Sequence, residues 1–271
     1  LERAAFEGNE DITRKLMKAG AGMGFALHYA IRARRGKVAN ILLDTSGAPV
    51  NGRDTYGDLP LHLAAGAGDT GMARSLLLKG AEMNASDQEG LTALYIAARD
   101  GHESVVHALL GAGADLTIEY PRPLLHLAAG NGHVGILRTL IDNGLDVDTP
   151  DPDNEETALH SAASSGKTAA IKFLIEAGTD LNARDAEGNT PLWHAVYVCS
   201  ALDVIDLLLR SGADEMMARE DGLTPMDVVG VEVAKQSPVA EDVERVRRLL
   251  WNAPVDRRWR RRGIFVLCRA H

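Results

Sequence analysis

Four groups of residues carry types and spacings that could do chemistry. The chain has nine histidines, and His28, His62, His126 and His160 each follow a leucine in a similar Leu-His context, which raises a metal site. Ser165-Gly-Lys-Thr168 matches the end of a phosphate-cradling loop. That motif needs a glycine five positions before its Gly-Lys, and Ser161 stands there. Asp146 to Glu156 is dense in carboxylates. A calcium loop opening at Asp151 would need Gly at its sixth position and Glu at its twelfth, where Glu156 and Ala162 stand. Cys199 lies five residues from His194, but nothing nearby activates a thiol, and a small apolar packing role is the expectation. No nucleophile, base and orienting acid come together, so catalytic, cofactor and metal residues are all expected to be absent.

The elements that position these residues are set by an internal period. The residue opening each Leu-His-x-Ala-Ala-like segment is Leu1, Leu27, Leu61, Leu94, Leu125, Leu159, Leu192 and Met226, at steps of 26, 34, 33, 31, 34, 33 and 34. Gly20, Gly47, Gly80, Gly113, Gly144, Gly178 and Gly212 follow the first seven by 19 or 20. Two markers in phase over seven units identify a repeat protein. Within a unit, small residues such as Ala64-Ala65 and Ala128-Ala129 let one short helix approach its neighbour closely, and a glycine or turn follows. A second helix has apolar residues at i, i+1, i+4 and i+5, as in Val105, Val106, Leu109 and Leu110, and the Gly marker caps it. Asn, Asp and Gly then reverse the chain. Helices of about eight residues are marginal alone, so they must lean on neighbouring units in an elongated stack of about 10 Å per repeat. At that spacing, histidines in equivalent positions cannot reach one zinc ion, whose ligands lie about 2 Å from it.

The repeat resembles the ankyrin family. Gly57-Asp-Leu-Pro-Leu-His-Leu-Ala-Ala65 and Gly188-Asn-Thr-Pro-Leu-Trp-His-Ala195 look like its G-x-T-P-L-H-x-A-A signature, and Leu77-Leu-Lys-Gly-Ala-Glu-Met-Asn84 looks like its L-L-x-x-G-A-D-V-N. The resemblance implies an all-α solenoid of stacked helix-turn-helix pairs with β-hairpin-like fingers. It also implies that the repeated histidine bonds backbone or a Thr hydroxyl within its own turn, a role expected to be dispensable where Tyr95, Trp193 and Asp227 replace it. The array is assigned to residues 1–230, about eight units with the first cut short, so the sequence is expected to begin inside a repeat. Glu119-Tyr-Pro-Arg-Pro123 predicts an irregular finger, 231–250 a capping helix region, and 251–271 a basic tail.

Composition bounds the rest. Apolar residues make up 45% of the chain and charged residues 25%, in the range of globular proteins. The longest apolar run, Ile264 to Cys268, is far short of a membrane span. Two cysteines are too few for a disulfide framework and fit a cytoplasmic or nuclear protein. The net charge is −9, unevenly placed: the last 21 residues hold six Arg against Asp256, leaving 23 basic and 37 acidic residues before them. The segment Arg257-Arg-Trp-Arg-Arg-Arg-Gly-Ile-Phe-Val-Leu-Cys-Arg269 resembles the C-termini of ankyrin-repeat proteins from brown algae and other stramenopiles. Nucleic acid, an anionic membrane surface and the acidic body of the chain are its three possible counterparts, and fold-back on the body is the preferred one.

By the resemblance, the chain is a non-enzymatic, monomeric scaffold that binds a protein partner through a concave groove, with no small-molecule substrate and no cofactor. The alternatives are the regulatory portion of a larger enzyme or signalling protein, and binding through the basic tail. The expected groove residues are Tyr56 and Asp58 on one finger, Gln88 and Glu89 on the next, Tyr120 and Arg122, then Asp153 and Asn154, and Glu187 and Asn189. First helices add Arg99, Asp100, Asn131 and Tyr197. Aromatic and Arg side chains are the best anchors among them, and acidic fingers favour a basic partner.

Overall fold

The structure, a computed structural model, describes residues 1–118, 120, 122–198, 202–231 and 244–252. It divides into two compact units, Leu1–Leu124 and Leu125–His271. The first holds α1 (Glu2–Glu7) and α2 (Glu10–Lys18), α3 (Ala26–Arg32) and α4 (Gly36–Leu43), α5 (Pro60–Gly66) and α6 (Thr70–Leu78), and α7 (Ala93–Asp100) and α8 (Glu103–Gly111). The second holds α9 (Leu124–Asn131, whose first residue falls in the preceding unit) and α10 (Val134–Asp142), α11 (Ala158–Ser164) and α12 (Thr168–Glu176), α13 (Pro191–Val198) and α14 (Leu202–Ser211), and α15 (Pro225–Val231). Residues 244–252 are helical. None of the described helices is long and apolar enough to cross a membrane.

Helices of six to ten residues hold because each is covered by its neighbours. First helices pack on first helices, α1 on α3, α3 on α5 and α5 on α7, then α11 on α13 and α13 on α15. Second helices form their own row, α2 to α4 to α6 to α8 and α10 to α12 to α14. The paired alanines Ala64 and Ala65, Ala97 and Ala98, and Ala162 and Ala163 are wholly buried in this seam, as are Leu27, Leu61, Leu94, Leu159 and Leu192. Burying a Leu side chain contributes roughly 2 kcal/mol, and each unit repeats that gain with its leading leucine.

The turn inside a helical pair takes the left-handed conformation, supplied by Gly68 at φ 67° and Gly101 at φ 81°. A Cβ on Gly68 would come within 2.6 Å of the His102 ring, so this glycine is required by space as well as by backbone. Arg34 occupies the same place with φ 55°, a strained conformation for an L residue.

Fingers are tight turns, and the one backbone bridge outside the helices among the described residues joins Ser86 to Thr92. Four of the turns open on an aspartate, Asp54, Asp87, Asp151 and Asp185, and the last described one opens on Arg219. Asp87 N–H donates to Leu91 O at 2.9 Å while its Oδ1 accepts from Glu89 N and Leu91 N, both at 2.8 Å. Asp54 and Asp185 repeat this arrangement. The Asp151 finger is one residue longer, pairing Asp151 N with Glu156 O at 2.7 Å. It lacks a glycine, and Glu155 takes positive φ at 56° in its stead. In the irregular segment only Tyr120, Arg122 and Pro123 are described, and the basic tail after Asn252 and most of the 231–250 region lie outside the described residues.

Candidate partner-binding face

Fingers and first helices are fixed to each other by the repeated histidine. His62 Nδ1 accepts from Leu59 N–H at 3.2 Å, closing the start of α5, and its Nε2 bonds the next finger at Ala85 O, 2.9 Å away. His160 does the same, with Thr157 N–H at 3.0 Å and Asn189 O at 3.1 Å. His28 reaches Gly52 O at 2.8 Å and His126 reaches Glu156 O at 2.6 Å. The ring therefore bonds forward to the following finger as well as within its own turn. Burial disfavours the charged form, lowering the pKa of His62; in His160 burial and the neighbouring His194 bring it to about 4.

At two of the three replacements a forward contact is rebuilt with other chemistry. Tyr95 lies against Tyr120 of the next finger with ring centroids 4.8 Å apart, and the Tyr120 hydroxyl bonds Thr92 Oγ1 at 2.8 Å. Trp193 takes the Arg219 guanidinium over its ring at 5.0 Å. Asp227 restores only the local part, its Oδ2 accepting from Thr224 N at 2.8 Å and Thr224 Oγ1 at 2.6 Å.

With the framework so fixed, the sequence-predicted groove residues fall into two sets. Tyr56, Gln88, Glu89, Arg99, Asp100, Arg122, Asn131, Asp153 and Glu187 are exposed, and Asp58, Asn154 and Tyr197 are partly so. Tyr120 and Asn189 are buried, 8% and 6% exposed, and belong to the framework. Tyr120 is held by Tyr95 and Thr92; burial raises its pKa, against the Thr92 hydrogen bond, which lowers it. Asn189 Nδ2 donates to Asp185 Oδ2 at 2.9 Å. Both expectations are corrected: a finger position can turn its side chain onto the preceding repeat, as Tyr120 does, or back into its own turn, as Asn189 does.

In the first unit the structure gathers several of these residues around a polar depression of about 470 Å³, lined by Arg32, Arg34, Asp58, Asp87, Glu89 and Arg99, among others. Arg32 contacts Asp54 at 2.8 Å and Asp58 at 2.9 Å, with the exposed Tyr56 ring 4.9 Å from its guanidinium carbon. Arg99 pairs with Asp100 at 2.8 Å. The partly exposed Arg32–Asp58 and Arg99–Asp100 pairs orient side chains while adding less than about 1 kcal/mol each. In the second unit Tyr197 stacks on Trp193 at 4.9 Å and 11°.

Sequence reasoning missed one cluster. His194 sits one position after the repeated histidine's place, and its Nε2 is 2.7 Å from Asp185 Oδ2. Its ring meets His160 edge-on at 5.3 Å, and Glu156 Oε1 is 4.0 Å away. Burial raises the Asp185 carboxyl, and the bonds from His194 and Asn189 outweigh it, leaving the pKa below its ordinary value. The signal was the one-residue offset, which turns His194 toward the finger that His160 also addresses. Gly166 lies in the turn between α11 and α12 with no strand before it. Asp151 Oδ1 is engaged by Asp153 N at 2.9 Å. Cys199 lies outside the described residues.

Comparison with known proteins came back with one answer for the fold. Residues 1–87, 51–120 and 125–218 match a model described as ankyrin repeats in three copies. The ankyrin repeat domain of human ASB11 is 26% identical over 84% of this chain and 96% of that one, with a TM-score of 0.72. The ankyrin repeat domain of Bcl-3, a member of the IkappaB family, is 24% identical over 83% of this chain and 96% of its own, at 0.66, a likeness of fold. Comparison with curated proteins gave no match.

Proposed function

The chain belongs to the ankyrin-repeat family, and on that premise we propose that it binds a protein partner through the face made by its finger turns and first helices. Domains of this family generally mediate protein–protein interaction, and they are typically non-enzymatic. The observation that supports this face is the depression in the first unit, where Arg34, Glu89 and Arg99 stand around a space open to solvent beside an exposed Tyr56. These side chains contribute little to the seam. The framework bonds of the same turns come from Asp54, Asp87 and His62, so the surrounding positions are available for recognition.

Tyr56, Arg99 and Tyr197 are the proposed anchors, since aromatic and guanidinium groups supply large contact area with directional bonding. In the second unit Asp153, Glu187 and Asp221 on successive fingers are exposed, and a basic partner segment suits them. A photo-crosslinking residue placed at Gln88 or Glu187 tests the reading. Those positions trap a protein partner from a cell lysate, whereas the same residue at Lys172 on α12 traps none. Trapping at Lys172 and not at the finger positions would overturn the proposed face.

A further inference from the structure

His160, Asp185 and His194 place three donor atoms, two imidazole nitrogens and a carboxylate oxygen, within 4.8 Å of one another. They come from two successive repeats: His160 from α11, Asp185 from the following finger and His194 from α13. We propose that these three residues form a binding site for a divalent transition metal of the zinc class, which ties one repeat to the next in the second unit.

The donor set selects the ion. Two imidazoles and one carboxylate suit zinc and its neighbours, whereas calcium and magnesium take oxygen ligands. Metal–ligand distances near 2.1 Å put the donors of a tetrahedral site about 3.4 Å apart. The His194–Asp185 pair at 2.7 Å would open, and no pair of donors starts more than 4.8 Å apart, so side-chain rotation supplies the shifts. His194 is the more exposed member, half-buried where the other two are buried, and it provides the entry path.

His160 differs from its three equivalents in a way that favours this use. Its Nε2 lies 3.1 Å from the next finger's carbonyl, against 2.8 Å for His28, 2.9 Å for His62 and 2.6 Å for His126. It therefore has the longest forward bond of the four to surrender. When Nε2 takes a metal, the ring proton moves to Nδ1, and Thr157 Oγ1 at 3.0 Å is placed to accept it. That acceptor is the outer-shell partner a metal-bound imidazole requires. Thr157 N–H and Asn189 O lose their bonds to the ring in the exchange, which sets a moderate affinity, in the micromolar range.

The surroundings complete the site. Asn189 Nδ2 donates to Asp185 Oδ2 at 2.9 Å and orients the carboxylate. The amide's own Oδ1 is buried without a donor, and a metal-bound water is the kind of donor it lacks. Glu156, with Oε1 4.0 Å from His194 Nε2, adds negative charge beside the cluster.

The test is titration of the full chain, stripped with chelator, with Co2+ at neutral pH. Binding is read by the visible bands of tetrahedral cobalt and by their displacement with Zn2+. The expected result is saturable one-to-one binding, weakened at least about tenfold by His194→Ala and by His194→Gln. The second variant keeps a hydrogen-bonding group beside Asp185, so fold integrity is controlled. His102→Ala and His107→Ala, in the first unit, leave binding unchanged. Absence of saturable binding below about 100 µM, or cobalt bands that survive both His194 substitutions, would overturn the site.

Discussion

Replacing His62 with alanine removes both halves of a repeat-to-repeat link while leaving the alanine seam untouched. The ring is 3% exposed. Its loss deprives Leu59 N–H of an acceptor and Ala85 O of a donor. Leu59 is buried, so its N–H meets no water, a penalty of about 1–3 kcal/mol; Ala85 is only half-buried, so its carbonyl recovers a solvent partner and loses about 1 kcal/mol. The sum is about 2–4 kcal/mol, before any cavity term. His102, whose Nε2 bonds Gly66 O at 3.0 Å from a half-buried position, supplies the comparison, with an expected loss near 1 kcal/mol for His102→Ala. Urea unfolding followed by circular dichroism reads both, fitted with a repeat-by-repeat treatment because arrays need not unfold in one step. A loss below about 0.5 kcal/mol for His62→Ala, or one no larger than that of His102→Ala, would refute the claim that the imidazole joins successive repeats.

Three further outcomes follow from the same framework. Acid weakens the array: His160 is held to a pKa of about 4 in the fold, while an unfolded imidazole titrates near 6.5. The unfolded chain thus takes its proton first. This contribution to stability is intact above about pH 6.5, declines by up to about 3 kcal/mol between 6.5 and 4, and then levels off. Urea midpoints that do not fall between pH 7.5 and 4.5 would contradict it. Arg34→Gly relieves the left-handed strain at φ 55° and raises stability by about 0.5–1 kcal/mol, the αL penalty less the entropy of glycine, visible as a higher melting temperature. Tyr120→Phe removes the hydroxyl bond to Thr92 Oγ1 and costs about 1 kcal/mol in the same unfolding assay, with no effect on partner binding, because Tyr120 belongs to the framework.

Helix pairs, alanine seam and turn glycines were legible in the sequence because each depends on residue type at a fixed period. Leu61, Ala64, Ala65 and Gly68 state their roles by spacing alone. The direction of side chains in the fingers was not legible. Tyr120 and Asn189 sit where a solvent-facing residue is expected, yet one closes onto Tyr95 and the other onto Asp185. Those contacts are made by a neighbouring repeat or the same turn, which spacing does not describe. Asn84 and Asn182 read as turn residues, but their Oδ1 atoms accept from Asp115 N at 3.1 Å and Asp214 N at 2.8 Å, stitching successive repeats. The metal argument from equivalent positions compares His28, His62, His126 and His160 with one another and does not reach His194, whose offset brings it to His160.

The central claim is that the exposed residues of fingers and first helices, and not the outer row of second helices, hold the partner. Affinity capture from a cell lysate with the unmodified chain, with Tyr56→Ala, Arg99→Ala and Tyr197→Ala combined, and with Lys37→Ala, Leu78→Ala and Lys172→Ala combined addresses it directly, once circular dichroism shows all three folded. The first variant loses the captured protein at least about tenfold and the second keeps it. Capture that survives the first set and fails with the second would place recognition on the opposite row of helices and contradict the account.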